Sequence, residues 1–332
     1  MMRALVTGGT GFIGANLVAG LAERGITPRV LMRSSSSRRA LEGLAYETAI
    51  GDILDAPRQL AETMEGCAWL FHVAAVSDYW RQGKERLYRV NVKGTRNVLQ
   101  AAEIARVERV VFTSSLTSMG IPSEGQLLDE SCTFEVDPET FPYGHSKHLA
   151  EQEVQQAVAK GLPAVIVNPC LVLGPRDVNL ISGAIIVEAA RGSVWFYPPG
   201  GTNFVDVADV VAGHIAAAEK GRSGERYILG GTNLPYSQAI PLICDVVGRP
   251  PPLVRAPKWL LPPAAVAVRL ARRFFGNRVP LDEKQVRMMG RKMYANVDKA
   301  LQELGLPQTP FQTTVQRTYN WYNENGYLDG AP

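Results

Sequence analysis

Two side chains near the middle of the chain have the spacing of an acid–base pair. The segment Tyr143-Gly144-His145-Ser146-Lys147 places Tyr143 and Lys147 at positions i and i+4 of a helix, and therefore on one helix face. A free tyrosine has a pKa of about 10, which is too high for efficient proton transfer at neutral pH. A lysine one turn away favours the phenolate, so the pattern predicts a lowered pKa for Tyr143.

A glycine-rich turn follows the first apolar run of the chain. The sequence TGGTGFIG begins at Thr7, directly after a predicted strand, and opens an amphipathic helix. Glycines let the backbone approach a pyrophosphate, and the helix N-terminus offers it free N–H groups and the positive end of the helix dipole. The turn therefore predicts a dinucleotide site formed by Thr7, Gly8, Thr10, Gly11, Phe12, Ile13 and Gly14.

The end of the second predicted strand, Arg29–Met32, bears on the choice of dinucleotide. Folds that bind NAD usually place Asp or Glu there, to accept a hydrogen bond from the ribose 2′-hydroxyl. Here Arg33 and Ser34 follow the strand. Arginine cannot accept that hydrogen bond but can pair with a 2′-phosphate, so we predict NADP in preference to NAD. A solvated Arg33 in a flexible loop would leave the choice open.

Short apolar runs alternate with helical patterns through the first half of the chain, which predicts a parallel sheet covered on both faces. We therefore expect an α/β fold with a Rossmann-type, doubly wound parallel sheet and a smaller C-terminal substrate-binding lobe. Residues 1–173 would form the NADP-binding domain, with a return to its sheet at about 203–233 that begins near Asn203–Asp209. Residues 174–202 and 234–332 would form the lobe. The predicted strands are Ala4–Thr7, Arg29–Met32, Ala45–Gly51, Trp69–Val73, Arg109–Ser114 and Ala164–Asn168.

Composition narrows the possible function classes. The chain has 332 residues, 46% of them hydrophobic and 20% charged, which is typical of a globular protein. The net charge of +3 is too small to predict nucleic-acid binding. Four scattered cysteines without a CxxC motif predict neither a disulfide framework nor a zinc site, and no metal is expected. We expect a cytoplasmic location, since no signal peptide or membrane-spanning run is present.

One segment is strongly basic. From Arg255 to Lys292 there are ten Lys or Arg residues and two acidic ones. The simplest interpretation is a solvated helical face. The alternatives are recognition of an anionic substrate group and weak peripheral contact with an anionic membrane through Trp259–Phe275.

Several motifs occur in the order found in one protein family. They are TGGTGFIG, Gly51-Asp52-Ile53, His72-Val73-Ala74-Ala75, Asn91-Val92-Lys93-Gly94-Thr95, Thr113-Ser114-Ser115 and YGHSK. In these motifs the chain resembles the extended short-chain dehydrogenase/reductases, of the NAD-dependent epimerase/dehydratase family, over about Arg3 to Thr232.

The resemblance implies catalytic roles for four residues. Tyr143 would be the acid/base, and Lys147 would bind the nicotinamide ribose and lower the pKa of the tyrosine. Ser115 would be the catalytic hydroxyl, with its neighbour Ser114 as the alternative. Asn91 would hold the active-site helix and a water molecule on a proton path to solvent.

The resemblance also implies binding roles. Asp52 and Ile53 would contact adenine, Ala74 and Ala75 would line the cofactor groove, and Pro169 would also contact the cofactor. The residues expected to bind substrate are Ser77, Leu116, Thr117 and Asn168.

The segments from Val167 to Cys170 and from Gly174 to Asp177 resemble two subgroups of the family. These are the dihydroflavonol 4-reductase-like reductases and the hopanoid-associated sugar epimerases. Plant flavonoid reductases have an asparagine where Gly120 stands here, which disfavours a flavonoid substrate.

Three functions follow as hypotheses. The first is an NADP-dependent reductase that converts a carbonyl to an alcohol by hydride transfer, with Tyr143 protonating the developing alkoxide. The second is a nucleotide-sugar epimerase or dehydratase that keeps its cofactor bound and returns the hydride. The third is a non-catalytic NADP-sensing protein, which would have no need of Ser115, Tyr143 and Lys147. The resemblance also implies a homodimer, paired through Asn91–Ala105 and Tyr143–Lys160.

Overall fold

The computed structural model describes residues 2–77, 83–276, 279 and 282–328. Within these ranges the strands are β1 (Arg3–Thr7), β2 (Thr27–Met32), β3 (Glu47–Ile50), β4 (Trp69–His72), β5 (Arg109–Thr113), β6 (Ala164–Pro169), β7 (Leu171–Leu173), β8 (Phe196–Tyr197), β9 (Gly201–Asp206), β10 (Arg226–Leu229), β11 (Thr232–Pro235), β12 (Val254–Arg255) and β13 (Lys292–Met293).

The α-helices of the same ranges are α1 (Phe12–Glu23), α2 (Pro57–Thr63), α3 (Lys84–Tyr88), α4 (Thr95–Ala105), α5 (Pro142–Ala159), α6 (Ala184–Ala190), α7 (Val207–Lys220), α8 (Tyr236–Val246), α9 (Leu261–Phe275), α10 (Glu283–Met288) and α11 (Phe311–Glu324). A π-helical segment, Arg89–Gly94, joins α3 to α4. No helix of the described ranges combines the length and apolar character needed to span a bilayer.

The central sheet has seven strands in the order β10-β6-β5-β4-β1-β2-β3, and every neighbouring pair is parallel. The chain starts at the inner strand β1 and winds outward in both directions, which confirms the predicted doubly wound Rossmann class. The strand order reverses between β1 and β4. The crevice at the carboxyl ends of these two strands is where such folds bind their ligands.

Successive strand residues pack on opposite faces of the sheet. In β1, Ala4 and Val6 belong to the core under α1 and α7, whereas Leu5 belongs to the core under α2, α4 and α5. Because both faces are covered, the strands are apolar at consecutive positions, as the sequence pattern predicts. The two cores hold the ends of β1, β4 and β5 in register, so that the loops following these strands lie side by side.

The chain returns to the central sheet later than Asn203–Asp209, where the sequence predicts that the return begins. Residues 201–206 form β9, which pairs with β7, β11 and β13 in a separate sheet. The strand that returns is β10, which pairs with β6 in the central sheet. The helix between them, α7, packs on α1 and on the sheet, and this crossover brings β10 to the open edge of β6.

A third hydrophobic core lies beyond the central sheet. It is built from α6, α8 and α11 against β9, and it includes Ile186, Ile240, Phe311 and Tyr322. The loop 174–183 ties this part to the first half, because Arg176 Nη1 donates to the carbonyl of Ala40 at 2.8 Å. These contacts support the division into a nucleotide domain and a smaller lobe, which we retain as a proposal.

Two fully buried histidines should make the fold acid-labile. Burial lowers the pKa of His72 to about 3 and that of His214 to about 4, against 6.5 for a free histidine. Below pH 6.5 the unfolded chain therefore binds protons that the folded chain does not, so stability present at neutral pH is lost as the pH falls. Each histidine should remove about 1.4 kcal/mol of unfolding free energy per pH unit down to about pH 4.5.

The measurement is urea unfolding at a series of pH values, for the wild type and for His214→Gln. In the fold, His214 Nε2 lies 2.8 Å from Thr113 Oγ1 and its Nδ1 lies 2.7 Å from the carbonyl of Val210. The variant should have a pH slope that is smaller by about one proton. An unchanged slope would contradict the assignment of this acid sensitivity to the histidine.

Candidate active site

The turn between β1 and α1 is shaped for close backbone approach. Gly8 has φ +71°, and a Cβ there would lie 2.6 Å from the amide nitrogen of Ala74. A Cβ on Gly14 would lie 2.2 Å from the carbonyl oxygen of Gly8. Gly11 is the N-cap of α1 and brings no side-chain acceptor, so the N–H groups of the first turn are available to an anion. This cradle fits a pyrophosphate.

A cleft of ≈ 760 Å³ extends from this turn across the carboxyl ends of the central strands. It is lined by most of the residues expected to bind cofactor: Gly8, Thr10, Gly11, Phe12, Ile13, Gly14, Arg33, Asp52, Ile53, Ala74, Ala75, Tyr143, Lys147 and Pro169. Ser77 and Ser115 also lie in this lining. The structure thus brings together segments that are up to about half the chain apart in sequence.

Two predicted nucleotide residues do not line the cleft. Ser34 lies outside the lining, whereas Ser36 belongs to it together with the exposed Arg33, because the loop turns back through a hydrogen bond from Ser36 N to the carbonyl of Arg33. Thr7 is fully buried beneath the glycine turn. Its Oγ1 accepts from Ala74 N at 3.2 Å, so Thr7 holds the loop after β4 rather than facing the cleft.

A chain of hydrogen bonds continues from Thr7 through His72. Thr95 Oγ1 donates to the carbonyl of Asn91, so it must accept from His72 Nε2, 3.0 Å away. His72 Nδ1 then accepts from Thr7 Oγ1 at 2.7 Å. The neutral histidine links the glycine turn to the π-helical segment, and both of its ring nitrogens have hydrogen-bond partners in the core.

Tyr143 enters the cleft from the first turn of α5. A hydrogen bond joins its side chain to that of Ser115, which lies just after β5. Burial raises the pKa of Tyr143 to about 12, although the hydrogen bond with Ser115 lowers it. The neighbouring serine, Ser114, is directed away, since its Oγ donates to Glu151 Oε1 at 2.5 Å. The geometry thus favours Ser115 over Ser114 as the partner of the phenol.

The predicted lowering of the tyrosine pKa by Lys147 is not found. Lys147 is itself buried, and its Nζ donates to the carbonyl of Thr113 at 2.6 Å and lies 4.5 Å from the ring centre of Phe112. Burial lowers the pKa of Lys147 to about 7, opposed by the negative charge of Glu151. Desolvation of the buried phenol is therefore the dominant effect on the pKa of Tyr143.

Asn91 lies in the π-helical segment and is buried. Its Oδ1 accepts from Val76 N at 2.8 Å, and its Nδ2 donates to Ser146 Oγ at 3.0 Å. Ser146 is the residue before Lys147 on α5. Asn91 therefore fastens the active-site helix to the loop after β4, which is the positioning part of the role expected for it. Short π-helical turns are frequently found at functional sites.

Three of the four residues expected to bind substrate lie elsewhere. Leu116 belongs to a buried apolar cluster with Met119 and Ile228. Thr117 Oγ1 donates to Ser115 Oγ at 2.9 Å and lies outside the cleft lining. Asn168 is fully buried at the end of β6, where its Nδ2 donates to the carbonyl of Ser115. Leu116 and Thr117 lie in the short 3₁₀ helix that follows β5, whereas Asn168 points into the protein from β6 itself.

No role was assigned to Glu151 of α5 from the sequence. In the structure it is a buried carboxylate at the centre of a polar cluster, and its Oε1 accepts from Ser114 Oγ, Ser118 Oγ and Asn168 Nδ2 at 2.5, 2.5 and 2.7 Å. Its Oε2 pairs with Arg226 of β10 at 3.4 Å. Its position one turn after Lys147 on the same helix is the sequence signal that could have identified it.

The far wall of the cleft is a loop that the sequence reasoning missed. Asn179, Ile181 and Ser182 belong to the cleft lining. The buried carboxylate of Asp177 shapes this loop, since it accepts from the N–H groups of residues 181, 182 and 183 at 3.0 Å each. The segment from Gly174 to Asp177 contained this signal, because an aspartate after a Gly-Pro turn favours such caps.

The fold and the site together are those of an NAD(P)-dependent oxidoreductase with a Rossmann-type fold. The profile of the NAD dependent epimerase/dehydratase family matches residues 4–230, and the chain belongs to this family. This confirms the resemblance to the extended short-chain dehydrogenase/reductases that the ordered motifs indicate.

Named relatives and a solved structure agree with this placement. A protein of Synechocystis sp. with the provisional name dihydroflavonol 4-reductase is 40% identical over 97% of this chain and 95% of its own. A ketoreductase of Stigmatella aurantiaca that acts on 4-hydroxy-2-methyl-3-oxo-4-farnesyl-3,4-dihydroquinoline-1-oxide is 32% identical over 92% of this chain and 91% of its own. The crystal structure of gox2253 superposes with a TM-score of 0.86 at 36% identity, over 99% of this chain and 100% of that one.

Proposed function

We propose that this protein is an NADP-dependent reductase that converts a ketone to a secondary alcohol. The observation that carries the proposal is the hydrogen-bonded pair Ser115–Tyr143, which lines the cleft beside Lys147. The two hydroxyl groups can both reach one carbonyl oxygen, which is the arrangement that ketone reduction requires. Relatives named as a dihydroflavonol reductase and a ketoreductase support the same reaction class.

The residues of the cleft fit a dinucleotide. The N-terminus of α1 and the Gly8–Gly14 cradle would hold the pyrophosphate, Asp52 and Ile53 would contact adenine, and Lys147 would bind the nicotinamide ribose. When bound, NADPH supplies the hydride for the reaction.

The chain's own side chains would manage the carbonyl oxygen and its proton. A phenol is a stronger acid than an alcohol, so Tyr143 can donate its proton to a developing alkoxide even though burial raises its pKa to about 12. Ser115 would donate a second hydrogen bond to the same oxygen, and Thr117 Oγ1, which donates to Ser115 Oγ, holds that hydroxyl in place. Asn91 would keep α5, and thus the phenol, fixed against the loop after β4.

The test is the purified protein mixed with NADPH and a panel of ketones and nucleotide sugars. Net loss of the absorbance of reduced nicotinamide, together with alcohol formation, supports the reductase. A cofactor that co-purifies, with sugar conversion and no net redox change, would instead identify an epimerase or dehydratase. Among the described residues of the basic segment 255–292, none lines the cleft, so that segment offers no support for a bound sugar diphosphate.

The substrate is not expected to be a flavonoid with the contacts used by plant reductases. Gly120 has φ +91°, a conformation that asparagine adopts only with strain. A Cβ on residue 120 would also lie only 3.2 Å from the carbonyl oxygen of Thr133, which leaves little room for a side chain.

Arg33 is predicted to determine the preference for NADP over NAD. It is exposed and lines the cleft beyond the end of β2, where an adenosine 2′-phosphate would lie. Loss of a charge-assisted hydrogen bond is worth about 1.5–3 kcal/mol, so Arg33→Ser should weaken NADPH binding about 10- to 100-fold. NADH binding should change little. The measurement is the dissociation constant of each nucleotide, with Arg58→Ser on α2 as the control.

An equal loss for both nucleotides, or no loss for either, would contradict the proposed role of Arg33. In that case the preference between the two nucleotides would have to come from other residues of the loop, such as Ser36.

A further inference from the structure

The exposed apolar side chains of this protein are concentrated in one region. Of thirteen large hydrophobic residues exposed in the described ranges, ten lie at positions 195–196 and 253–275. They are Trp195, Phe196, Leu253, Val254, Trp259, Leu260, Val266, Leu270, Phe274 and Phe275. Single exposed apolar residues are ordinary, but such a concentration marks an interaction surface.

These residues belong to connected elements, which we call the apolar–basic surface. Strand β8 pairs with β12, so that Phe196 lies opposite Val254. A 3₁₀ turn, Lys258–Leu260, follows β12 and leads directly into α9. The surface is therefore defined by β8, β12, this turn and α9.

Helix α9 has one face packed on the protein and one face left open. Ala265 is fully buried and marks the packed face, whereas Val266, Leu270 and Phe274 recur every four residues and are 37%, 50% and 78% exposed. Residues four apart lie on one face of a helix, so these three side chains form an apolar ridge. Phe275 extends it at the C-terminal end, and Trp259 lies just before its N-terminal end.

Positive charge lies along this ridge. Arg269 and Arg273 are exposed on the flank of the ridge, where Arg269 also pairs with Glu283 of α10 at 3.5 Å. The whole segment from Arg255 to Lys292 has ten Lys or Arg residues against two acidic ones. An apolar face with tryptophan and phenylalanine, bordered by arginine, is typical of helices that lie in the plane of an anionic membrane. A second copy of this chain would bring two such basic surfaces together, and their repulsion disfavours that occupant.

The surface also adjoins the part of the chain that leads into the active-site helix. Lys258 pairs with Glu124 at 3.3 Å, and Lys284 of α10 donates to the carbonyl of Glu139 at 2.6 Å. Both acidic residues lie between Ser115 and Tyr143 in sequence. A surface docked through α9 would therefore lie beside the segment that ends at the phenol.

We propose that the apolar–basic surface docks this protein on an anionic lipid bilayer, with α9 lying in the interface and its apolar ridge inserted among the lipids. The arginines on its flank contact the anionic headgroups. The proposal is independent of the reaction that the cleft carries out.

The test is co-sedimentation of the full chain with vesicles of phosphatidylcholine containing phosphatidylserine, and with vesicles of phosphatidylcholine alone. The protein should partition onto the anionic vesicles at low salt, bind pure phosphatidylcholine much more weakly, and dissociate as salt is added. The double variant Leu270→Ser/Phe274→Ser should lower the partition coefficient by at least about tenfold, since it removes the inserted apolar area. Arg269→Gln/Arg273→Gln should lower it by about tenfold on anionic vesicles only.

Matched controls are Ile104→Ser, which removes an exposed apolar side chain from α4, and Arg58→Gln/Lys160→Gln, which removes two exposed cations. Both should partition like the wild type. The arginine variant removes exposed charges and one partly exposed ion pair, Arg269–Glu283, which should contribute less than about 1 kcal/mol, so it tests the proposal even if the serine variant folds poorly. Absence of binding to anionic vesicles at low salt would overturn the proposal, as would unaltered binding of the arginine variant. Self-association that the ridge variant abolishes, without vesicle binding, would assign the surface to a second copy instead.

Discussion

Tyr143→Phe is expected to reduce ketone turnover with NADPH by about 10²- to 10⁴-fold, the usual contribution of a general acid. The substitution removes the phenolic O–H that is hydrogen-bonded to Ser115 and leaves the aromatic ring in the cleft wall. NADPH binding should weaken by at most about fivefold, since only one hydrogen bond is lost. The measurements are single-turnover rates with the most active ketone of the panel and the dissociation constant of NADPH.

The matched control is Tyr236→Phe. Tyr236 on α8 also has a pKa raised to about 12 by burial, but it does not line the cleft. Its substitution should leave the turnover unchanged. If Tyr143→Phe kept turnover near that of the wild type, Tyr143 would not be the proton donor and the proposed mechanism would be wrong.

Glu151→Leu is expected to lower the free energy of unfolding by about 3 kcal/mol, because removing one partner of a buried ionic cluster leaves the others unsatisfied. Ser114, Ser118 and Asn168 would lose their common acceptor, and Arg226 would lose a carboxylate. The effect should be large because the cluster joins α5 to β6 and β10 beneath the active site. Urea unfolding at neutral pH measures it.

Glu153→Leu is the control on the same helix. Glu153 pairs with Arg96 at 2.6 Å, but the arginine side chain is 54% exposed, so this pair should contribute less than about 1 kcal/mol. Glu151→Gln, which keeps one acceptor, should fall between the two. Equal destabilisation by the substitutions at 151 and 153 would show that the buried cluster contributes no more than a surface ion pair.

The strands and the nucleotide turn were predictable because their signals are local. An apolar run such as Ala164–Asn168 and the glycine turn that starts at Thr7 each depend on backbone properties of a few consecutive residues. The predicted return at about 203–233 contains β10, but its start was placed near Asn203–Asp209, because residues 201–206 and 226–229 both have the pattern of short strands. Only the path of α7 between them decides which of the two reaches the free edge of β6.

The candidate site likewise combines features that the sequence predicts with features that only the packing of distant segments decides. The i, i+4 spacing predicted the pair Tyr143 and Lys147. The resemblance to the family, which ordered motifs carry, implied the roles of Ser115 and Asn91. Spacing could not show that Lys147 would be turned toward the carbonyl of Thr113, with its pKa lowered to about 7 by burial. It could not show that Asn168 and Leu116 point into the protein, because a side chain's direction at the end of a strand depends on the turn that follows.

The amino-acid sequence was sufficient for the fold class, the family and the pair of residues that would handle a proton, because periodicity, glycine turns and helical spacing are short-range properties. Packing of distant segments was needed to assemble the Glu151 cluster, to form the cleft wall with Asn179 and Ser182, and to leave one face of α9 uncovered. These features depend on which side chains lose water and which partners they meet, and long-range contacts alone determine both.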